Sequence, residues 1–266
     1  MINKKLCIIW PGRGFGEQLI LARVTSILTD AGIDVIFKER YKVVGLVDCN
    51  KIQYVEDIKK YSDYVSHIWI YSIQDRTPII VQYIKHFEEF FERKIEITRD
   101  HVPVIFNKMD VPTYDVILHT NTGSWSIYRF WPYFDELKSL LTKQGISWLD
   151  IADRKNGRIG GIRYLNYVNN AKLYVGLETG LSHYVSSIAK NKTLIIQGGF
   201  TEYNFWAYLY KFDHLEVEDV PCRPCYLNKI DIANGKGCPY NHRCMREISP
   251  QDVFNKIEKM LNEKIS

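Results

Sequence analysis

The sequence predicts an α/β protein made of two doubly wound, Rossmann-like domains that face each other across a cleft. Three observations carry this expectation. Short apolar runs of strand length alternate with longer segments whose apolar residues recur at helical spacing, in both halves of the chain. Turns bearing glycine or proline separate these segments. Periodicity then lapses between Pro103 and Pro112, which puts a linker near 110–114 and the domains at 1–112 and 113–266.

The elements follow in order. Leu6–Trp10 reads as a buried strand. A glycine-rich turn leads to a helix over Gln18–Ala31, with Leu19, Leu21, Ala22, Ile27 and Leu28 at helical spacing, ended by Gly32. Ile33–Phe37 is the second strand, and this β-loop-α-β opening favours a parallel sheet. His67–Tyr71 reads as a further strand, and Thr77–Lys94 as a helix with Ile80, Tyr83, Ile84, Phe87, Phe90 and Phe91 on its apolar side. In the second half, strands are expected at Asp115–His119, Ser147–Ile151, Leu173–Leu177 and Thr193–Gln197. Helices are expected at Trp131–Lys143, where Pro132 suits a first turn, and at Ile162–Asn169, Gly180–Lys190 and Pro250–Asn262.

Composition narrows the class. Of 266 residues, 46% are hydrophobic and 25% charged, which fits a globular protein and not a disordered one. A net charge of +4 from scattered basic residues does not argue for nucleic acid. The apolar run after the N-terminus is cut off by Pro11 and Gly12, and no stretch reaches the roughly 18 apolar residues of a membrane span, so a cytoplasmic location is expected. Four of the six cysteines crowd between 222 and 244, a pattern that in a reducing compartment more often binds metal than forms disulfides.

Four motifs carry chemistry. The first is Pro11-Gly12-Arg13-Gly14-Phe15-Gly16-Glu17, between a strand and a helix. Gly14 and Gly16 let backbone approach an anion at the helix N-terminus, or they only make the turn. Glu17 is a candidate general base for an acceptor hydroxyl, or a first-turn acid that complements the helix dipole. The second is Gly176-Leu177-Glu178-Thr179-Gly180-Leu181-Ser182-His183, where Thr179, Gly180 and the first N–H groups suit a diphosphate and His183 lies one turn further in, facing phosphate or packed in the core. The third is Gly123 to Pro132, in which Arg129 either neutralises pyrophosphate charge or is a surface arginine. The fourth is Cys222-x-x-Cys225 with Cys238 and Cys244, a thiol set suited to structural zinc or iron within a loop at 221–246, or left as free thiols or disulfides.

Together and in this order these motifs resemble the heptosyltransferases of glycosyltransferase family 9. Gly14-Phe15-Gly16-Glu17 is similar to the family's Gly-x-Gly-Asp turn with Glu for Asp. Arg129-Phe130-Trp131-Pro132 is similar to its basic residue before Trp-Pro, and Glu178-Thr179-Gly180-Leu181-Ser182-His183 to its Asp-Thr-Gly-x-x-His. Gly199-Phe200-Thr201 loosely matches Gly-Pro-Thr. The cysteine ending with Ile248, Pro250 and Val253 also resembles the family, whose autotransporter heptosyltransferase branch holds iron in a related loop.

The resemblance implies a GT-B-like fold and inverting transfer of a sugar, heptose favoured, from a nucleotide-diphosphate donor such as ADP-heptose. Glu17 would act as base, while Gly14, Gly16, Arg129, Glu178, Thr179, Gly180 and His183 would hold donor and phosphates. With no Asp-x-Asp near a strand end, no catalytic divalent metal is expected. The acceptor-side domain is shorter than the family's. The acceptor is a lipopolysaccharide-type glycan, a protein or a nucleic-acid base, met at most by peripheral membrane contact, and an oligomer is compatible. The rival classes are a non-catalytic nucleotide-binding module and a metal-knuckle interaction protein.

Overall fold

The computed structural model describes residues 5–9, 15–38, 53–55, 57, 59–61, 63–68, 72, 75–97, 108–122, 129–153, 162–188, 192–208, 212–225 and 238–263. The chain divides into two compact units, one formed by Met1–Phe106 with Asn204–Leu209, the other by Asn107–Tyr203 with Tyr210–Ser266. Among the described residues no helix is long and apolar enough to cross a membrane.

In the first unit, β1 (Lys5–Ile9), α1 (Phe15–Asp30), β2 (Val35–Lys38), β3 (Gln53–Val55), β4 (Tyr64–Ile68) and α2 (Ile79–Phe91) follow one another. The sheet order is β3-β2-β1-β4, with every pairing parallel. Because β1 is flanked by β2 on one side and β4 on the other, the chain reverses its winding direction there, and the carboxyl end of β1 leads into α1. Leu21, Val24 and Leu28 of α1 close over Leu6, Ile8, Val35 and Phe37, and Ile80, Ile84 and Phe87 of α2 complete the core. Gly32 ends α1 at a positive φ of 75°, where its N–H reaches Thr29 and Ile33 N–H reaches Leu28.

Two expectations shift here. The strand expected at His67–Tyr71 begins at Tyr64, where Tyr64 Oη donates to Asp34 and Lys5 pairs with Asp63 at the same edge; residues 69–71 lie outside the described residues. The helix expected from Thr77 begins at Ile79, because Asp75 accepts the Thr77 N–H and forms a turn ahead of it. Trp10 and Gly14 also lie outside the described residues.

The second unit contains β5 (Val116–His119), α3 (Phe134–Lys143), β6 (Trp148–Asp150), α4 (Ile162–Asn170), β7 (Leu173–Leu177), α5 (Gly180–Ile188), β8 (Lys192–Ile196), β9 (Asp213–Leu215), α7 (Arg243–Arg246) and α8 (Pro250–Asn262); between β8 and β9 the chain forms α6 (Tyr203–Ala207), which from Asn204 onward belongs to the first unit, where Phe205 joins the core. Its sheet runs β6-β5-β7-β8-β9, again all parallel. Near-continuous burial of β7 and β8 is what a parallel sheet covered on both faces requires.

The helix predicted to open at Trp131 instead starts at Phe134. Trp131 is fully buried and its indole N–H donates to Ile248 O at 2.9 Å, so this ring anchors the C-terminal segment to the core and its backbone does not join the helix. α8 begins where expected. Ser249 and Asp252 form a reciprocal capping box with Pro250 in the first turn, and Val253, Phe254, Ile257 and Met260 face the core.

Candidate nucleotide-sugar site

Winding reverses between β5 and β7. The chain leaves β5 towards β6 on one side and leaves β7 towards β8 on the other, so the loops at these two carboxyl ends diverge and leave a crevice of the kind that binds ligands in doubly wound sheets. Three successive strand ends supply this place. Arg129 follows β5, Glu178-Thr179-Gly180 follows β7, and Gly199-Phe200-Thr201 follows β8.

Arg129 is buried, which decides against a surface arginine. Its Nη1 donates to the Glu178 carbonyl at 2.8 Å and stands 3.7 Å from Glu178 Oε1. Its guanidinium lies 4.9 Å from the centre of the Phe200 ring, within cation–π range. The arginine is therefore held by a loop 49 residues away in sequence. The Phe200 loop is fixed from beneath, since Gln197 Nε2 donates to the carbonyls of Gly198 at 3.2 Å and Thr201 at 3.1 Å.

Thr179 caps α5. Its hydroxyl oxygen lies 3.4 Å from the Ser182 N–H, at the third helical position, satisfying one of the donors that a helix start leaves open. Ser182 Oγ donates to Leu177 O at 2.5 Å and locks the strand-to-helix turn. Glu178, Thr179 and His183 are all buried, and Gly180 is half-buried. His183 sits one turn into α5.

Gly16 is buried and Glu17 half-buried in the first turn of α1, in the first unit. Cys222, Cys225, Cys238 and Cys244 stand as free thiols in this structure. They are neighbours all the same: Cys225 N–H donates to Gly199 O at 2.8 Å, and a Cβ on Gly199 would sit 3.4 Å from Cys244 Sγ and 3.5 Å from Cys225 Sγ. Burial, then the nearby thiols of Cys222 and Cys244, pushes the Cys225 thiol up. Among the described residues no three His, Cys, Asp or Glu side chains are gathered as a metal ion needs.

Sequence reasoning missed a buried polar network beneath the site. His119 ends β5 and Tyr174 lies on β7. Asp150 at the end of β6 accepts from Thr120 Oγ1 at 3.0 Å and from Ala152 N–H at 2.9 Å, and pairs with Lys138 at 2.8 Å. The signal was present, a polar residue closing each of two apolar strands, but only pairing across the sheet gives it meaning.

No family model and no curated protein matches the chain. Solved structures do. The iron-containing dodecameric glycosyltransferase TibC from enterotoxigenic E. coli, also solved with ADP-D-beta-D-heptose, superposes with a TM-score of 0.73 at 15% identity, covering 97% of this chain and 76% of its own. A glycosyl transferase family 9 protein from Veillonella parvula gives 0.64 at 13% identity, covering 99% of both chains. The E. coli ADP-heptose lipopolysaccharide heptosyltransferase II gives 0.57 at 11% identity, covering 96% of this chain and 98% of its own. The chain thus has the fold of these glycosyltransferases.

Proposed function

We propose that the protein is an inverting glycosyltransferase that transfers a sugar, with heptose favoured, from a nucleotide-diphosphate donor to an acceptor hydroxyl. One observation carries the reading: at the reversal point of the second sheet, a buried arginine and a threonine-capped helix N-terminus come from the two strand ends between which a nucleotide belongs. A nucleotide sugar bound in the related TibC fold supports it.

In this reading the α5 amides and the Thr179 hydroxyl hold the diphosphate, with Gly180 allowing close backbone approach and His183 one turn behind. Arg129, prepositioned by Glu178 and Phe200, meets the charge that develops as the diphosphate leaves. The acceptor oxygen attacks the anomeric carbon, the bond from that carbon to the diphosphate oxygen breaks, and Glu17 receives the acceptor proton. Gly16 lies beside Glu17 in the first turn of α1. Residues 1–112 form the shortened acceptor side, and the catalysis runs in the cytoplasm on a glycan, protein or nucleic-acid acceptor. The four thiolates of Cys222, Cys225, Cys238 and Cys244 suit a structural iron or zinc; metal analysis of the purified protein against a four-serine variant decides this.

Titration against ADP-, UDP- and GDP-sugars tests the main reading. One donor is expected to bind with a matching rise in Tm, and Glu17→Gln is expected to keep that binding while losing transfer. A panel in which no donor binds refutes the proposal.

A further inference from the structure

We propose that Cys225, Cys244, Gly199 and Phe200 are positioning residues for Arg129: the two cysteines fix the Gly199 backbone, and the Phe200 ring that follows it holds the guanidinium in place for the donor diphosphate. The inference rests on the donor-site reading above and gives the cysteine cluster a part in nucleotide binding that is separate from holding a metal.

The relay begins where β8 ends and the chain continues as Gln197-Gly198-Gly199-Phe200-Thr201. Two successive glycines carry no side chains to pack and have a wide choice of φ and ψ, so the place of Phe200 must be fixed by contacts from other residues. Gln197 Nε2 donates to the carbonyls of Gly198 at 3.2 Å and Thr201 at 3.1 Å, and the Cys225 N–H donates to the carbonyl of Gly199 at 2.8 Å. Gly199 also lies against the sulfurs. The atoms nearest to a Cβ built there would be Cys244 Sγ at 3.4 Å, Cys225 Sγ at 3.5 Å and Cys244 Cβ at 3.6 Å. Both cysteines are buried in the core that holds Leu177, Leu194, Ile196 and Trp131, and close packing there leaves them little freedom to yield.

The next residue is Phe200, itself buried, with its ring centre 4.9 Å from the Arg129 guanidinium. Arg129 in turn donates to the Glu178 carbonyl at 2.8 Å, beside the Thr179 cap of α5. From Cys225 to Arg129 the path is a backbone hydrogen bond, a step along the chain and a cation–π contact. A shift of the Gly199 backbone moves the ring, and the guanidinium then loses the face it rests on. Its hydrogen bonds to a phosphate weaken as their alignment is lost.

ADP, GDP and UDP are titrated calorimetrically into the wild-type protein, and the one that binds is carried through a double-mutant cycle. Gly199→Val crowds the two sulfurs and is expected to weaken binding about five- to tenfold, the range of a desolvated cation–π contact. Phe200→Leu removes the ring without crowding the sulfurs and is expected to weaken binding by about the same factor. In an Arg129→Met background neither change is expected to weaken binding further, because the group they position is gone. Circular dichroism checks that each variant is folded, and the smaller Gly199→Ser takes the place of a valine variant that is not. Losses that recur in full in the Arg129→Met background mean that the loop touches the nucleotide itself or only supports the fold, and they overturn the inference. Unchanged affinity in either single variant overturns it as well, and with normal wild-type binding it does so alone. A wild-type protein that binds none of the three nucleotides overturns the donor-site reading and this inference together.

Discussion

Replacing Arg129 by methionine tests how the candidate site is held together. Arg129 makes a charge-assisted hydrogen bond of 2.8 Å to the Glu178 carbonyl, stands 3.7 Å from the Glu178 carboxylate and lies on the Phe200 ring, with both charged side chains buried. A buried hydrogen bond from a charged donor is worth about 1.5–3 kcal/mol. Removing one member of a buried ion pair costs about 3–5 kcal/mol, since the other charge stays in a poorly solvated place. At 3.7 Å the pair is loose, and methionine restores part of the stem packing, so the lower end applies: a loss of about 3 kcal/mol, or roughly 6–12 °C in Tm for a chain of this size. Arg129→Met combined with Glu178→Gln keeps the shape, removes both charges and is expected to recover about half of the loss. Denaturant titration followed by circular dichroism reads both. A single variant within about 0.5 kcal/mol of wild type, or a double variant as unstable as the single, refutes the claim that this pair is electrostatically coupled.

Two more outcomes follow from the same sheet. Gly176→Ala puts a methyl group into the Tyr174 ring, so the phenol is expected to be displaced at a cost of about 1–3 kcal/mol in denaturant titrations; an unperturbed Tm shows the ring has room to move. Burial acts to raise the Asp115 carboxyl, but hydrogen bonds from Lys172 and Ser147 outweigh it and hold the group at about 2. Because the unfolded chain takes up this proton first, near pH 4, the stabilisation is present above that pH and is lost as pH falls from about 4 to 2. With Lys172 largely exposed, about 1 kcal/mol is at stake. Asp115→Asn is expected to flatten that part of the stability–pH curve, and an unchanged acid limb contradicts the assignment.

How much of this was legible depended on whether a signal is local. Leu173–Leu177 and Pro250–Asn262 were read to the residue, one as a short apolar run and the other from Val253, Ile257, Met260 and Leu261 at helical spacing. β3, α6 and β9 were not foreseen, because three to five residues hold too few periods to distinguish a strand from a turn. The start of α3 was misplaced because Pro132 is a local helix-start signal, whereas Trp131 obeys a partner more than a hundred residues away. Arg129 could be singled out for its charge, but its burial against Glu178 and Phe200 could not, since those contacts join three separate strand ends.

The sequence by itself therefore determined the α/β class, the parallel winding and the residue types that gather at the strand ends, because periodicity, glycine turns and helix caps act within a few residues. Only the tertiary structure decided the pairings that give those residues a task. The order β6-β5-β7-β8-β9 makes β5 and β7 neighbours, and their register sets His119 beside Gly176 and within reach of Tyr174. Strand order and register come from burying whole apolar faces against one another, a property of the assembled sheet that no local window of sequence contains.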